Sequence, residues 1–162
     1  MCNLNWNAVE ALSVSGAALL AALAYHHQVE QSRVTLWRDM TKEFDHDLKR
    51  ERAFCAADFK LHGRLDMANA QSIMDFFETV AYLYTHNRID RELSKETFEY
   101  YFGGYFMASR EALDVDRKDD PTFYQHCYGL ARDWAVAEDF KDQESLQIFF
   151  AEEERFGERM GE

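Results

Sequence analysis

The chain has 162 residues, 30% of them charged, and its formal net charge at pH 7 is −12. Aromatic residues make up 15% and there is one proline, a composition typical of a folded, helix-rich protein and not of a disordered one. Residues 66–116 and 117–162 each carry a net charge of −6, so both parts would repel phosphates and we expect no nucleic-acid partner.

An uncharged stretch near the N-terminus, residues 11–25, differs from the rest of the sequence. Trp6 and Tyr25 flank it and lie nineteen residues apart, which corresponds to about 28 Å along a helix. Aromatic residues at both ends of an apolar helix are typical of the two membrane–water interfaces. The pattern therefore predicts a membrane anchor over residues 1–27, with a single transmembrane helix whose interface residues are Trp6 and Tyr25.

The flanking charges predict the orientation of this helix. Arg33, Arg38 and Lys42 follow it, whereas no basic residue precedes it. The positive-inside rule then predicts an N-terminus outside and residues 28–162 as a cytoplasmic helical domain. The protein is expected in the inner (cytoplasmic) membrane, with the lipid bilayer as the partner of its anchor. The three cysteines form no CxxC pair, which also fits a reducing compartment. Two alternatives stay open. The segment could be a signal peptide with its cleavage site at residues 22–24 (Ala-Leu-Ala), or an alanine-rich helix of a soluble protein.

Small residues recur along one side of this helix at spacings of three and four. Close approach of backbones across small residues is a main source of helix association in lipid. We therefore expect a homo-oligomer, although alanine also occurs simply because it favours helix formation. The predicted oligomerisation face consists of Ala8, Ala11, Ser15, Ala18 and Ala22.

The apolar spacing in the rest of the chain is helical throughout and predicts an all-α fold. The anchor is predicted to continue as a long amphipathic helix to about Phe44. The sequence Asp-His-Asp at residues 45–47 then predicts a break in the helix. A bundle of four to five helices follows, over about 48–61, 67–86, 95–113, 121–137 and 144 onward. Phe54 is predicted to face inward. Gly103 and Gly104, in the middle of a helix, predict either a close crossing by another helix or a bend.

Three short motifs lie on consecutive predicted elements: Phe76, Phe77 and Glu78 on a helix, Ile89 and Asp90 in the turn after it, and Phe98, Tyr101 and Phe102 on the next helix. With them, the chain resembles a bacterial family described only as domain of unknown function 4760. The family combines a short N-terminal span, a long helix, a helix bearing Phe-Phe-Glu, an Ile-Asp turn and an aromatic helix. The resemblance extends over roughly residues 5 to 136 and implies architecture and no chemistry. The architecture is also similar to that of small membrane-anchored accessory proteins of antiphage and CRISPR systems.

Among polar residues, Glu78 borders the apolar side of its helix, and a carboxylate there needs a partner. We expect a structural ion pair with Arg110 or Arg132. Histidine, serine and cysteine residues lack the spacing of catalytic or metal-binding motifs, so we expect no catalytic residues, no metal and no cofactor.

These features together predict a membrane-anchored, self-associating helical protein that acts without enzymatic activity. It would serve as a scaffold, sensor or pore-type effector for an unknown protein partner, with antiphage defence as one such role. The alternative is a soluble acidic helical module or inhibitor that occupies a basic surface of its partner.

Overall fold

The computed structural model describes the backbone of residues 6–159 and the side chains of residues 19–156. All regular secondary structure in this part of the chain is helical, which confirms the all-α class. The helices are α1 (Trp6–Lys42), α2 (Lys49–His62), α3 (Met67–Thr85), α4 (Arg91–Asp119), α5 (Gln125–Asp133) and α6 (Gln143–Arg159), with a π-helical segment (Glu43–Asp47) between α1 and α2.

Local signals in the sequence explain several helix ends. The Asp66 side chain accepts a hydrogen bond from the Ala68 amide at the start of α3, and the Asp90 side chain does the same for Leu93 at the start of α4. Such N-caps satisfy amides that have no partner inside the helix. Gly63 ends α2 with φ of 68°, in the left-handed region that glycine adopts without strain.

Helix α1 has an exposed part and a packed part. Its side chains from Leu19 to Gln28 are all exposed, and Val29 is the first that the bundle partly covers. Further along, the Trp37 indole N–H donates to the Thr97 hydroxyl of α4 at 3.1 Å. The helix runs without interruption through the predicted boundary between residues 27 and 28.

No helix in the part of the chain that the structure describes is sufficiently long and apolar to cross a membrane. The side chains of residues 1–18 of the predicted anchor lie outside the described ones.

The predicted break after Phe44 is a π-helical segment, in which the Leu48 amide donates to the Glu43 carbonyl at 3.0 Å. Because a π-helical turn contains more residues than an α-helical turn, it changes the direction in which the following side chains point around the helix axis. Phe44 is buried there, and its ring centroid lies 5.3 Å from that of Phe76 and 5.1 Å from that of Tyr101. The segment therefore brings the end of α1 into the aromatic core.

Helices α3 and α4 form the centre of the bundle, α5 packs on α3, and α2 packs between α3 and α6. The apolar spacing in α3 correctly predicted its inward side, since Ile73, Phe77 and Val80 are fully buried. Phe54 is an exception: it is 55% exposed, so the prediction that it faces inward was wrong. The inward positions of α2 are Arg52, Cys55, Ala56 and Phe59.

The fifth helix also differs from its prediction. It begins at Gln125 and ends at Asp133, whereas the sequence predicted a helix over 121–137. The Asp120 carboxylate accepts hydrogen bonds from the amide and hydroxyl of Thr122, which forms a turn before the helix. Asp120 and the proline after it are typical of turns as well as of helix starts, and here the turn is formed.

The two glycines inside α4 allow aromatic rings to approach its backbone. A Cβ added at Gly103 would lie 2.6 Å from the Phe140 ring, and one at Gly104 would lie 2.5 Å from the Phe149 ring of α6. Both distances are shorter than van der Waals contact. The predicted close crossing is confirmed, and α4 continues through both glycines as an α-helix.

We expect Gly104→Ala to lower the free energy of unfolding by about 1–3 kcal/mol, because the new methyl group would overlap the Phe149 ring. Gly129→Ala is the matched control, since a Cβ at this position in α5 would meet no heavy atom within 4 Å other than its own helix backbone and chain neighbours. The control should be neutral or stabilising by up to about 1 kcal/mol, as helix propensity requires. Urea denaturation of the three proteins measures both changes, and equal effects of the two substitutions would contradict the packing described.

Candidate functional site

The predicted membrane and oligomerisation residues lie on α1. Tyr25 and Ala22 are exposed. The side chains of Trp6, Ala8, Ala11, Ser15 and Ala18 lie outside the described residues.

Residues 19–25 of the predicted anchor are uncharged, and the described part of the bundle leaves their side chains exposed. Leu19, Leu20, Leu23 and Tyr25 are 59–70% exposed. Large contiguous apolar surfaces are unusual on monomeric soluble proteins and mark sites of interaction with a protein or a membrane. This surface, residues 19–25 of α1, is the first candidate site and is referred to below as the exposed apolar segment.

Glu78 occupies a different position from the one predicted. Its two carboxylate oxygens accept hydrogen bonds from the backbone amides of His126 and Cys127, at 3.1 and 2.8 Å. These amides lie in the first turn of α5, where N–H groups lack partners within the helix and the helix dipole favours a negative charge. Glu78 thus joins α3 to α5 through the backbone.

The predicted ion pair of Glu78 with Arg110 or Arg132 is therefore corrected. The Arg110 Nε lies 3.8 Å from a carboxylate oxygen of Asp114, one turn further along α4. Arg132 is exposed on α5. Because backbone amides already satisfy Glu78, no cation is needed there.

A groove of about 490 Å³ lies beside Glu78, between α3 and the turn before α5. It contains two further carboxylates, Asp75 and Asp120. Asp75 accepts a hydrogen bond of 2.5 Å from the Tyr124 hydroxyl, and Asp120 accepts those from Thr122. Each carboxylate therefore has a structural partner in the chain. Within the described residues, no three metal-ligating side chains converge in a geometry that could hold an ion.

The most strongly buried charges lie elsewhere, between α2 and α6. Arg52 and Glu153 are 2% and 4% exposed. The Arg52 Nε donates to one Glu153 oxygen at 2.8 Å and its Nη2 donates to the other at 2.7 Å, which is a bidentate pair. The Tyr105 hydroxyl also donates to Glu153, at 2.5 Å. This group of three is the buried ionic cluster.

Aromatic rings surround the guanidinium of this cluster. The Arg52 Cζ lies 4.2 Å from the centroid of Phe44, 5.0 Å from that of Tyr101 and 4.6 Å from that of Phe156. Ring faces attract a cation, and Arg tolerates such surroundings better than Lys because it is more weakly hydrated. The buried ionic cluster therefore joins the π-helical segment, α2, α4 and α6.

The protonation of the buried ionic cluster follows from its geometry. Burial acts to lower the pKa of Arg52, but the hydrogen bond and the charge of Glu153 outweigh it, so the pKa is raised and the guanidinium stays charged. Burial, followed by the charge of Glu153, raises the pKa of Tyr105 well above its ordinary value, so Tyr105 stays a donor. Arg52 and Tyr105 thus both stay hydrogen-bond donors to Glu153, which is typical of a structural contact.

Sequence reasoning missed this cluster, although a signal was present. Arg52 falls on the apolar side of α2, one turn before Cys55, and Glu153 falls on the apolar side of α6, one turn after Phe149. Two opposite charges, each in the apolar side of its own helix, indicate a buried pair. The pairing itself, 101 residues apart, depends on the tertiary fold.

The two described cysteines are buried thiols. Burial raises the pKa of Cys55 to about 12, with smaller contributions from nearby carboxylates. Burial and the charge of Glu78 raise the pKa of Cys127 well above its ordinary value. Because the thiolate is the reactive form, neither residue is activated as a nucleophile.

No protein-family model matches the chain, and no match was found among curated proteins or solved structures. The resemblance described above stays a prediction.

We expect Glu153→Gln to lower the free energy of unfolding by about 3 kcal/mol, because the buried Arg52 would keep only the half-exposed Asp45 carboxylate, 3.5 Å from its Nη1, as a counter-charge. Glu154→Gln is the matched control at the adjacent position, where the carboxylate pairs with Lys60 and both side chains are largely exposed. Exposed pairs contribute about 0–1 kcal/mol.

Chemical denaturation of the wild type and both variants measures the difference. A triple variant, Arg52→Met and Glu153→Leu with Tyr105→Phe, should recover much of the stability, since apolar residues can replace a buried ion pair and the third change removes the hydroxyl that would lose its acceptor. Similar losses in Glu153→Gln and Glu154→Gln would contradict the role of the buried ionic cluster.

Proposed function

We propose that the protein is a membrane-anchored helical adaptor, in which α1 enters the lipid bilayer and the acidic helical bundle binds a protein partner. The exposed apolar segment of α1 carries this proposal. The described part of the bundle does not cover the leucines of this segment, so these side chains require another apolar environment.

Lipid suits this segment better than a second helix in water. Residues 11–25 contain no charged residue, and all of them except Ser13 and Ser15 are apolar or glycine. A partner helix would cover one side and leave the others in water, whereas lipid covers all of them. From Trp6 to Tyr25 the helix extends about 28 Å, close to the roughly 30 Å of a bilayer core.

The proposed orientation places the bundle in the cytoplasm. Arg33, Arg38 and Lys42 lie on the bundle side of α1, and basic residues are retained on the cytoplasmic side of a bacterial inner membrane. The anchor would thus hold an acidic domain close to the membrane.

The role we propose for the bundle is binding without catalysis. Residues 66–116 and 117–162 each carry a net charge of −6, which favours a partner with a basic surface and speeds its association. Glu78, Asp75 and Glu153 support the fold through hydrogen bonds. A scaffold, a sensor or a pore-type effector, including one in antiphage defence, fits this arrangement.

We expect the full chain, expressed in a bacterium, to pellet with membranes and to resist alkaline carbonate extraction. Leu19→Arg with Leu20→Arg should release it into the supernatant, because an arginine in a membrane helix costs up to about 3 kcal/mol of insertion free energy. Leu61→Arg with Val115→Arg is the matched control, since it adds the same charges at exposed apolar positions of the bundle.

The control should stay in the membrane fraction. If the wild type is extracted by carbonate as a folded protein, the anchor is excluded and the soluble acidic binding module becomes the better description.

We further propose that protomers associate through the small-residue face of α1, formed by Ala8, Ala11, Ser15, Ala18 and Ala22. Side chains of this size allow two helix backbones to approach closely in lipid.

Ala18→Leu with Ala22→Leu should weaken self-association in detergent by about tenfold or more, as measured by chemical crosslinking over a range of protein-to-detergent ratios. Ala21→Leu with Ala24→Leu is the control, because both positions lie on other sides of the same helix. A monomeric wild type, or an equal effect of the two pairs, would exclude this face as the interface.

A further inference from the structure

We propose that the groove between α1 and the turn after α3 binds the headgroup of an anionic phospholipid. The groove has a volume of about 520 Å³, within the usual range for small-molecule sites. Tyr25, Val29 and Arg33 line it from α1, and His86 and Arg88 line it from the turn. This inference rests on the proposed membrane anchor and specifies which lipid the anchored domain contacts.

The position of the groove fits a headgroup. Tyr25 is the last residue of the exposed apolar segment, and Val29 is the first α1 residue that the bundle partly covers. With α1 in the bilayer, the groove therefore lies at the level where headgroup phosphates meet the protein. The turn holds His86 and Arg88 beside α1 at this level.

The turn has a defined conformation. The Arg88 amide donates to the Leu83 carbonyl at 2.8 Å, and the His86 amide donates to that of Tyr82 at 3.0 Å. Asn87 adopts a φ of 54°, in the left-handed region that Asn tolerates better than most residues. Arg88 is exposed at the end of this turn.

The charges of the groove also favour an anion. Arg33 and Arg88 contribute two guanidinium groups, within a chain whose net charge is −12. Glu30 opposes them, because its carboxylate accepts a hydrogen bond of 2.9 Å from the Arg33 Nη1. This contact with Glu30 involves the Nη1 atom of Arg33 and leaves the other side of the guanidinium without a carboxylate from Glu30.

The Arg33 Nε provides an independent observation. It is buried, and it has no hydrogen-bond acceptor within the described part of the chain. A buried donor without an acceptor is unfavourable, and a phosphate oxygen is a strong acceptor for a guanidinium. A rotation of the Arg33 side chain toward the groove would bring this Nε to a phospholipid phosphate between Arg33 and Arg88, whose single negative charge would balance the one positive charge that remains beside Glu30.

Hydrogen exchange of the full chain in nanodiscs tests the proposal. We expect amides in residues 83–91 to exchange more slowly in nanodiscs that contain phosphatidylglycerol than in nanodiscs of phosphatidylcholine alone. Arg88→Gln should raise the fraction of phosphatidylglycerol needed for half of this protection by about fivefold, as the loss of one juxtamembrane basic residue predicts. Arg33→Gln should act in the same direction, and Arg132→Gln, an exposed arginine outside the groove, should have no effect.

The other outcomes are distinguishable. Equal exchange in both kinds of nanodisc, with the protein inserted in each, excludes this site and leaves the anchor intact. Equal protection by glycerol 3-phosphate added to phosphatidylcholine nanodiscs excludes the lipid in favour of a soluble phosphate. Failure to insert into either nanodisc excludes both the proposed anchor and the site that rests on it.

Discussion

The ion pair between Arg52 and Glu153 is the contact on which the arrangement of the bundle depends. A buried charge is tolerated only with an opposite charge and a full set of hydrogen bonds, so the two helices that carry this pair have one favourable relative position. The Tyr105 hydroxyl adds a third helix to the same requirement. Two helices that pack only through apolar rings can slide relative to one another. The two hydrogen bonds between Arg52 and Glu153 form at one relative position of their helices only.

The acidic composition is compatible with this compact fold because several carboxylates have partners of different kinds. Glu153 binds a guanidinium, Glu78 binds two backbone amides, and Asp75 binds a tyrosine hydroxyl. The first two contacts each join two helices and the third joins α3 to the turn before α5, so negative charge contributes to tertiary structure. The carboxylates that remain on the surface give the bundle its net charge and its suitability for a basic partner.

Much of the fold could be predicted from apolar spacing, and the errors have specific causes. The buried side of α3 follows its periodicity because it packs between other helices along its whole length. Phe54 belongs to the apolar residues of α2 but lies beside the inward side, which Arg52, Cys55 and Phe59 define. The start of α5 was misplaced because Asp120 can cap a helix or close a turn, and only the packing of Tyr124 against α3 decides between them. The buried ionic cluster depends on pairing across 101 residues, which no local pattern contains.

The continuity of α1 has a mechanical consequence. The helix has 37 residues, about 55 Å in length, and between Gly16 and Gly63 the sequence has neither glycine nor proline. A helix without such breaks resists twisting, so a rotation of α1 about its own axis would displace Phe44, the second residue after its end. The Phe44 ring lies 4.2 Å from the Arg52 guanidinium, so such a rotation would act on an arginine that is only 2% exposed.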